Sequence, residues 1–127
     1  MIKNVLLVAL GGGLGSALRF LVQEALHKQI LNFSPYGTFA VNMLGCFLIG
    51  LFMGWAQGEK YLTESTNLLL ISGFCGGFTT FSTFAMQGNN LLLEQKPIQA
   101  ILYIGLSVMV GMGLAYLGLK LGKLNCP

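Results

Sequence analysis

A chain of 127 residues that is 54% apolar and only 9% charged has room for one domain and too little polar surface to keep that domain in solution. Its net charge of +3 is scattered without a basic cluster, which argues against nucleic acid as a partner. Three cysteines (46, 75 and 126) give neither a disulfide framework nor a metal spacing, and the one histidine, His27, has no nucleophile or zinc partners at usable spacing, so the chain does not read as an enzyme. What remains is an all-α integral membrane protein, read as a single four-helix transmembrane domain over residues 1–127.

About 20 residues at about 1.5 Å each match the hydrocarbon core of a bilayer. Four stretches qualify: 4–26, 35–56, 67–88 and 97–121. The first follows Lys3 with an apolar run over residues 5–10. That run is short for a signal peptide, and apolar character resumes through Val22, so a retained helix is expected. Gly11-Gly12-Gly13-Leu14-Gly15-Ser16 lacks the preceding strand, the glycine at 16 and the later acid of a dinucleotide fingerprint, so it reads as a close-packing surface. Arg19 lies one turn beyond Gly15. A charge inside a span is costly and by default functional or snorkelling, and its place toward the helix end suggests a vestibule.

Ser34 before Pro35 reads as a cap and first helical residue for the second span. That span carries Thr38, Asn42, Cys46, Gly50 and Gly54 at four-residue spacing, hence along one face, where small residues let backbones approach. Asn42 is the only amide deep in this span. It can bond a neighbouring helix or offer its N–H to an ion.

The third span contains Gly73-Phe74-Cys75-Gly76-Gly77-Phe78-Thr79-Thr80-Phe81-Ser82-Thr83-Phe84. Adjacent glycines cost a helix about 1 kcal/mol each relative to alanine, and the β-branched pair Thr79–Thr80 adds to that. A break is therefore predicted at Gly76–Gly77. Backbone groups freed inside a bilayer persist only where protein, water or an ion takes them up. The stretch reads either as a glycine-rich packing crossover or as an ion site, and Phe81 and Phe84 either as core or as pore wall. The fourth span, opened by Pro97, repeats the polar-to-small stripe with Tyr103, Ser107, Gly111 and Ala115.

Lys3, Lys60, Lys120 and Lys123 fall on one side of the membrane, and Arg19, Lys28 and Lys96 on the other. Four against three gives almost none of the bias that normally orients a chain. Copies inserted both ways could pair antiparallel about an axis through the midplane, where the break sits. Two copies could then supply four freed carbonyls to a cation that one copy cannot enclose.

These motifs resemble those of the CrcB/Fluc fluoride channels. Residues 73–84 match their signature, and Gly37-Thr38-Phe39-Ala40-Val41-Asn42-Met43-Leu44-Gly45 matches their second-helix motif. Gly11-Gly12 with Gly15 and Arg19 looks like their first. The fourth helix matches mainly through Tyr103 and Ser107; Ser16, Phe20 and Gly111 depart from common residues. The resemblance implies a dual-topology homodimer in the bacterial inner membrane with two pores, each built from both subunits. It would export fluoride passively and so relieve its toxicity. It further implies a structural Na⁺ at the two-fold axis, held by the backbone carbonyls of Gly76 and Thr79. Asn42, Phe81 and Phe84 would line the fluoride path, with Ser82, Thr83, Tyr103 and Ser107 alongside.

The chemistry agrees with that reading. Fluoride is small and strongly hydrated, so a pore must replace its water with amide and hydroxyl donors, which the positive edges of aromatic rings can supplement. A small multidrug exporter is the nearest rival, but Glu24, Glu59, Glu64 and Glu94 fall at helix ends or in loops, where proton-coupled export has no use for them. A non-transporting, holin-like assembly protein would use the glycine ridges but has no need of a broken third helix.

Overall fold

The computed structural model describes residues 1–29, 34–57 and 64–124, and all of its regular structure is helical. Helix α1 is Ile2–Gln29 and α2 is Ser34–Gln57. Next come α3 (Glu64–Asn67), a π-helical stretch Leu68–Cys75, the short α4 (Gly76–Phe78), α5 (Phe81–Leu93) and α6 (Pro97–Leu124). Four apolar spans follow: Ile2–Ala25, Gly37–Ala56, Glu64–Leu93 and Pro97–Leu124. The expected Lys60 and Glu59 loop positions and Cys126 lie outside the described residues, as do the side chains of His27, Lys28 and Ser34–Pro35.

The third span is broken, but not where the glycines suggest. Gly76 keeps helical dihedrals (φ −62°, ψ −38°), whereas Thr79 (φ −90°, ψ 161°) and Thr80 (φ −147°, ψ 123°) are extended. The break predicted at Gly76–Gly77 therefore falls at Thr79–Thr80. The physical reason is that Gly77 serves close packing, while the β-branched pair favours extended backbone and finds side-chain partners there.

Two seams hold the spans together, and both are main chain against main chain. Along α1 and the third span, Gly11 abuts the Leu69 carbonyl and stands so close to Gly73 that a β-carbon would lie 3.1 Å from its Cα. Gly15 meets the Phe74 carbonyl, and Gly77 meets the Gly12 carbonyl. Two small-xxx-small pairs, 11/15 and 73/77, thus face each other, the arrangement that brings membrane helices closest. Along α2 and α6, Gly50 sits on the Ala115 carbonyl and Gly118 on the Phe47 carbonyl. Gly54 sits on Leu119 and Gly122 on Leu51. The four-residue ridge of α2 and the stripe of α6 face one another over part of their length: Cys46 Sγ and Gly50 lie against Gly111 and Ala115, and Gly54 continues the seam on Leu119, beyond the expected stripe.

Between α5 and α6 the chain turns in three residues. Lys96 N donates to Leu91 O at 2.9 Å and Gln95 N to Leu92 O at 3.1 Å, closing a Schellman-type end. Gln95 occupies the left-handed region (φ 60°), which glycine would enter without strain.

Candidate functional site

The break at Thr79–Thr80 is held by a side chain from another span. Asn42 Nδ2 donates to Thr80 O at 3.1 Å, and Thr80 N donates to Asn42 Oδ1 at 2.9 Å. Of the two readings of Asn42, the interhelical bond is what this geometry contains; an amide nitrogen carries two hydrogens, so one remains for another acceptor. Thr80 then caps α5, its Oγ1 accepting from Thr83 N at 3.3 Å. Ser82 Oγ (3.4 Å) and Thr83 Oγ1 (3.3 Å) gather around the same hydroxyl.

The diverted amides explain which carbonyls are left over. In an unbroken α-helix Gly76 O would accept from Thr80 N, and Thr79 O from Thr83 N. Those donors now serve Asn42 Oδ1 and Thr80 Oγ1. Gly77 O is compensated, because Arg19 Nε donates to it at 3.1 Å and Ser16 Oγ at 3.4 Å. Cys75 O receives both Thr79 N (3.1 Å) and Thr79 Oγ1 (3.0 Å). Gly76 is exposed, and a β-carbon there would meet nothing within 4 Å. The two carbonyls expected to hold a cation are thus among those that lose their α-helical donors, and Phe78 O, whose donor would be Ser82 N, stands with them. Among the described residues no trio of His, Cys, Asp or Glu stands where it could hold a metal ion.

A cleft of about 550 Å³ opens beside the break. Asn42, Gly76, Thr79, Phe81, Phe84 and Ser107 line it. Phe81 is 78% exposed, and its ring lies 5.8 Å from that of Phe84. Phe84 in turn leans on Tyr103 at 5.1 Å, and Tyr103 OH donates to Gln87 Oε1 at 2.9 Å. Ser107 is buried, and its Oγ has no hydrogen-bond partner, leaving a donor for something else in the cleft. Ser82, Thr83 and Tyr103 do not line this cleft: the first two cluster on Thr80, and Tyr103 stands behind Phe84. Arg19 sits on the other side of the third span, at Gly77.

A family model described as "CrcB-like protein, Camphor Resistance (CrcB)" matches residues 6–119, all four spans. The chain belongs to this CrcB-like family. Among curated proteins, one from Flavobacterium psychrophilum is 41% identical over 121 residues, covering 95% of this chain and 98% of the relative. One from Chlorobaculum tepidum is 43% identical over 124 residues, covering 98% of each. One from Oceanobacillus iheyensis is 40% identical over 119 residues, covering 94% of this chain and 91% of the relative. All three are named "Fluoride-specific ion channel FluC".

In this CrcB-like chain the structure also brings forward residues that sequence reasoning missed. Thr80 caps α5, and Thr83 three residues on was the available signal, being the spacing of an N-cap contact. Gln87 lies one turn after Phe84 and binds Tyr103; no pattern in the sequence pairs them. Gln23 Nε2 donates at 3.1 Å to Thr38 Oγ1, which satisfies a fully buried threonine at the first rung of the α2 ridge.

Proposed function

We propose that this chain is one subunit of a membrane channel that passes fluoride down its gradient. The observation that carries the proposal is the two-way clamp of Asn42 on Thr80, which sets a broken helix and an orphan Ser107 hydroxyl around one cleft. The names of the relatives supply the ion. The cleft suits it: Asn42 keeps an N–H, Ser107 keeps an O–H, and Phe81 and Phe84 offer ring edges, all without a fixed positive charge that would hold the anion too firmly. Among the described residues the carboxylates stand at span ends, as Glu64 and Glu94 do, which leaves proton-coupled cation export without its acid.

The working unit is an antiparallel homodimer with two pores. Its support is the near-even Lys/Arg balance, the outward Phe81, and a protomer surface of 8039 Å². A compact 13.7 kDa chain would expose about 6,600 Å². In such a pair Gly76 O and Thr79 O of both copies would face one another and fit a single Na⁺, since they are hard oxygen ligands with no acidic side chain beside them. The cation's part is structural: it neutralises carbonyls that would otherwise oppose one another at the axis. Arg19, through Gly77, fixes the opposite face of the same helix and keeps its vestibule assignment.

Fluoride efflux from liposomes holding the purified protein tests the reading. Selective fluoride release that falls in Asn42→Ala and Phe81→Ile, with both variants still folded and dimeric, is the expected result. Wild-type protein that releases no fluoride, or both variants conducting like wild type, would overturn it.

A further inference from the structure

The cleft is lined by three sulfur-bearing residues that the channel reading leaves unused. Met43, Cys46 and Cys75 all border it, and both cysteines are free thiols. Met43 and Cys46 are three residues apart on α2 and so share a face. Gly111 on α6 sets them against a small gap: a β-carbon there would stand 3.2 Å from Cys46 Sγ and 4.0 Å from Met43 Sδ. Cys75 reaches the same cleft from the third span and is only 2% exposed. One turn before Gly111, the buried Ser107 Oγ lacks a partner in this cleft.

We infer that Met43, Cys46 and Cys75 form a soft-metal site for a monovalent cation of the Cu(I)/Ag⁺ class, and that its occupancy closes the ion path. Thiolate and thioether donors select such ions. Charge decides the valence. Cys46 would bind by losing its S–H proton to water, and one thiolate with one monovalent cation is neutral. A divalent ion would be neutral there only if Cys75 ionised as well, and at 2% exposure that thiol is the harder of the two to charge. Met43 adds a neutral second donor, and Cys75, its proton kept, a weak third from across the cleft. A cation seated there lies beside Asn42 and Ser107 and fills the space through which an anion passes.

The test uses the full chain with Cys126→Ser, so that only the two cleft thiols remain. Ag⁺ in nitrate buffer is titrated onto the purified dimer, with bound silver read by mass spectrometry and protons by indicator dye. One silver bound and one proton released per chain are expected, and fluoride efflux should fall to the level of empty liposomes. Adding Cys46→Ser should abolish stoichiometric binding. Met43→Leu, and Gly111→Ala, which fills the gap with all sulfurs kept, should each weaken binding by about tenfold or more, as loss of a supporting group does at metal sites. Each variant's block is scored against its own untreated flux. No stoichiometric binding, or binding unchanged by Cys46→Ser, overturns the site. Binding with undiminished efflux overturns the closure. The binding arm stands whether or not the protein conducts fluoride, so its failure is distinct from failure of the channel reading.

Discussion

Gly76 and Gly77 are neighbours in sequence with opposite surroundings, and alanine at each would separate protomer folding from the proposed dimer assembly. Both glycines lie in helical backbone, so alanine should favour either position by about 1 kcal/mol from propensity alone. At Gly77 the new β-carbon would run into the Gly12 carbonyl and stand 2.9 Å from Gly12 Cα, against about 3.5–4.0 Å for an ordinary contact. Overpacking of this kind costs about 1–3 kcal/mol. Because the obstacle is backbone, the upper part of that range applies, and the net loss is about 2 kcal/mol after the propensity gain. At Gly76 nothing in the protomer lies within 4 Å, so alanine should leave the single chain about 1 kcal/mol more stable. In an antiparallel pair the same methyl would stand between the facing carbonyls, and dimerisation should weaken by about tenfold or more, which is about 1.4 kcal/mol. SDS titration measures the first effect, and subunit capture at decreasing protein density in liposomes the second. If Gly76→Ala dimerises and conducts as well as wild type, the axis does not pass Gly76 and the carbonyl assignment falls with it.

Asn42→Ala should cost about 1–3 kcal/mol in SDS resistance: two interhelical bonds of about 0.6 kcal/mol set the floor, and two unsatisfied main-chain groups raise it. Equal SDS resistance with equal fluoride flux would mean that the clamp does not hold the break. Thr80→Val removes the α5 cap and should lose about 1 kcal/mol, with Thr80→Ser retaining most of it. Valine and serine behaving alike would disprove the capping role. Gln95→Gly should gain about 1 kcal/mol by relieving a left-handed glutamine without changing flux, and a loss would contradict the turn geometry.

The spans were legible because unbroken apolar length is a demand of the bilayer itself, and the same holds for the pairing of small residues along α2 and α6. The candidate cleft was legible in part: Asn42, Phe81, Phe84 and Ser107 line it, whereas Ser82, Thr83 and Tyr103 do not. Glycines at 76 and 77 pointed to a break because glycine weakens helices, yet Gly77 is spent on contact with Gly12, and the chain opens at the threonines instead. That choice depends on Asn42, 38 positions away, competing for the Thr80 amide, and no local propensity carries such a contact. The Tyr103–Gln87 bond and the reach of Arg19 to Gly77 O were hidden for the same reason. The eight-residue π-helical stretch Leu68–Cys75 has no sequence signature we can name.

Because both seams are largely peptide against peptide, the spacing within each seamed pair of spans is set by bond lengths and carbonyl radii, whereas the two pairs meet through side chains, Asn42 on Thr80 among them. The seams are stiff. Changes in bilayer thickness or lateral tension must then be absorbed where leucine, methionine and isoleucine meet acyl chains, along the outer faces of α1 and α6. What those faces do not absorb reaches the cleft through the side-chain joint of Asn42 on Thr80, so conduction should respond to lipid chain length through that joint rather than through the seams.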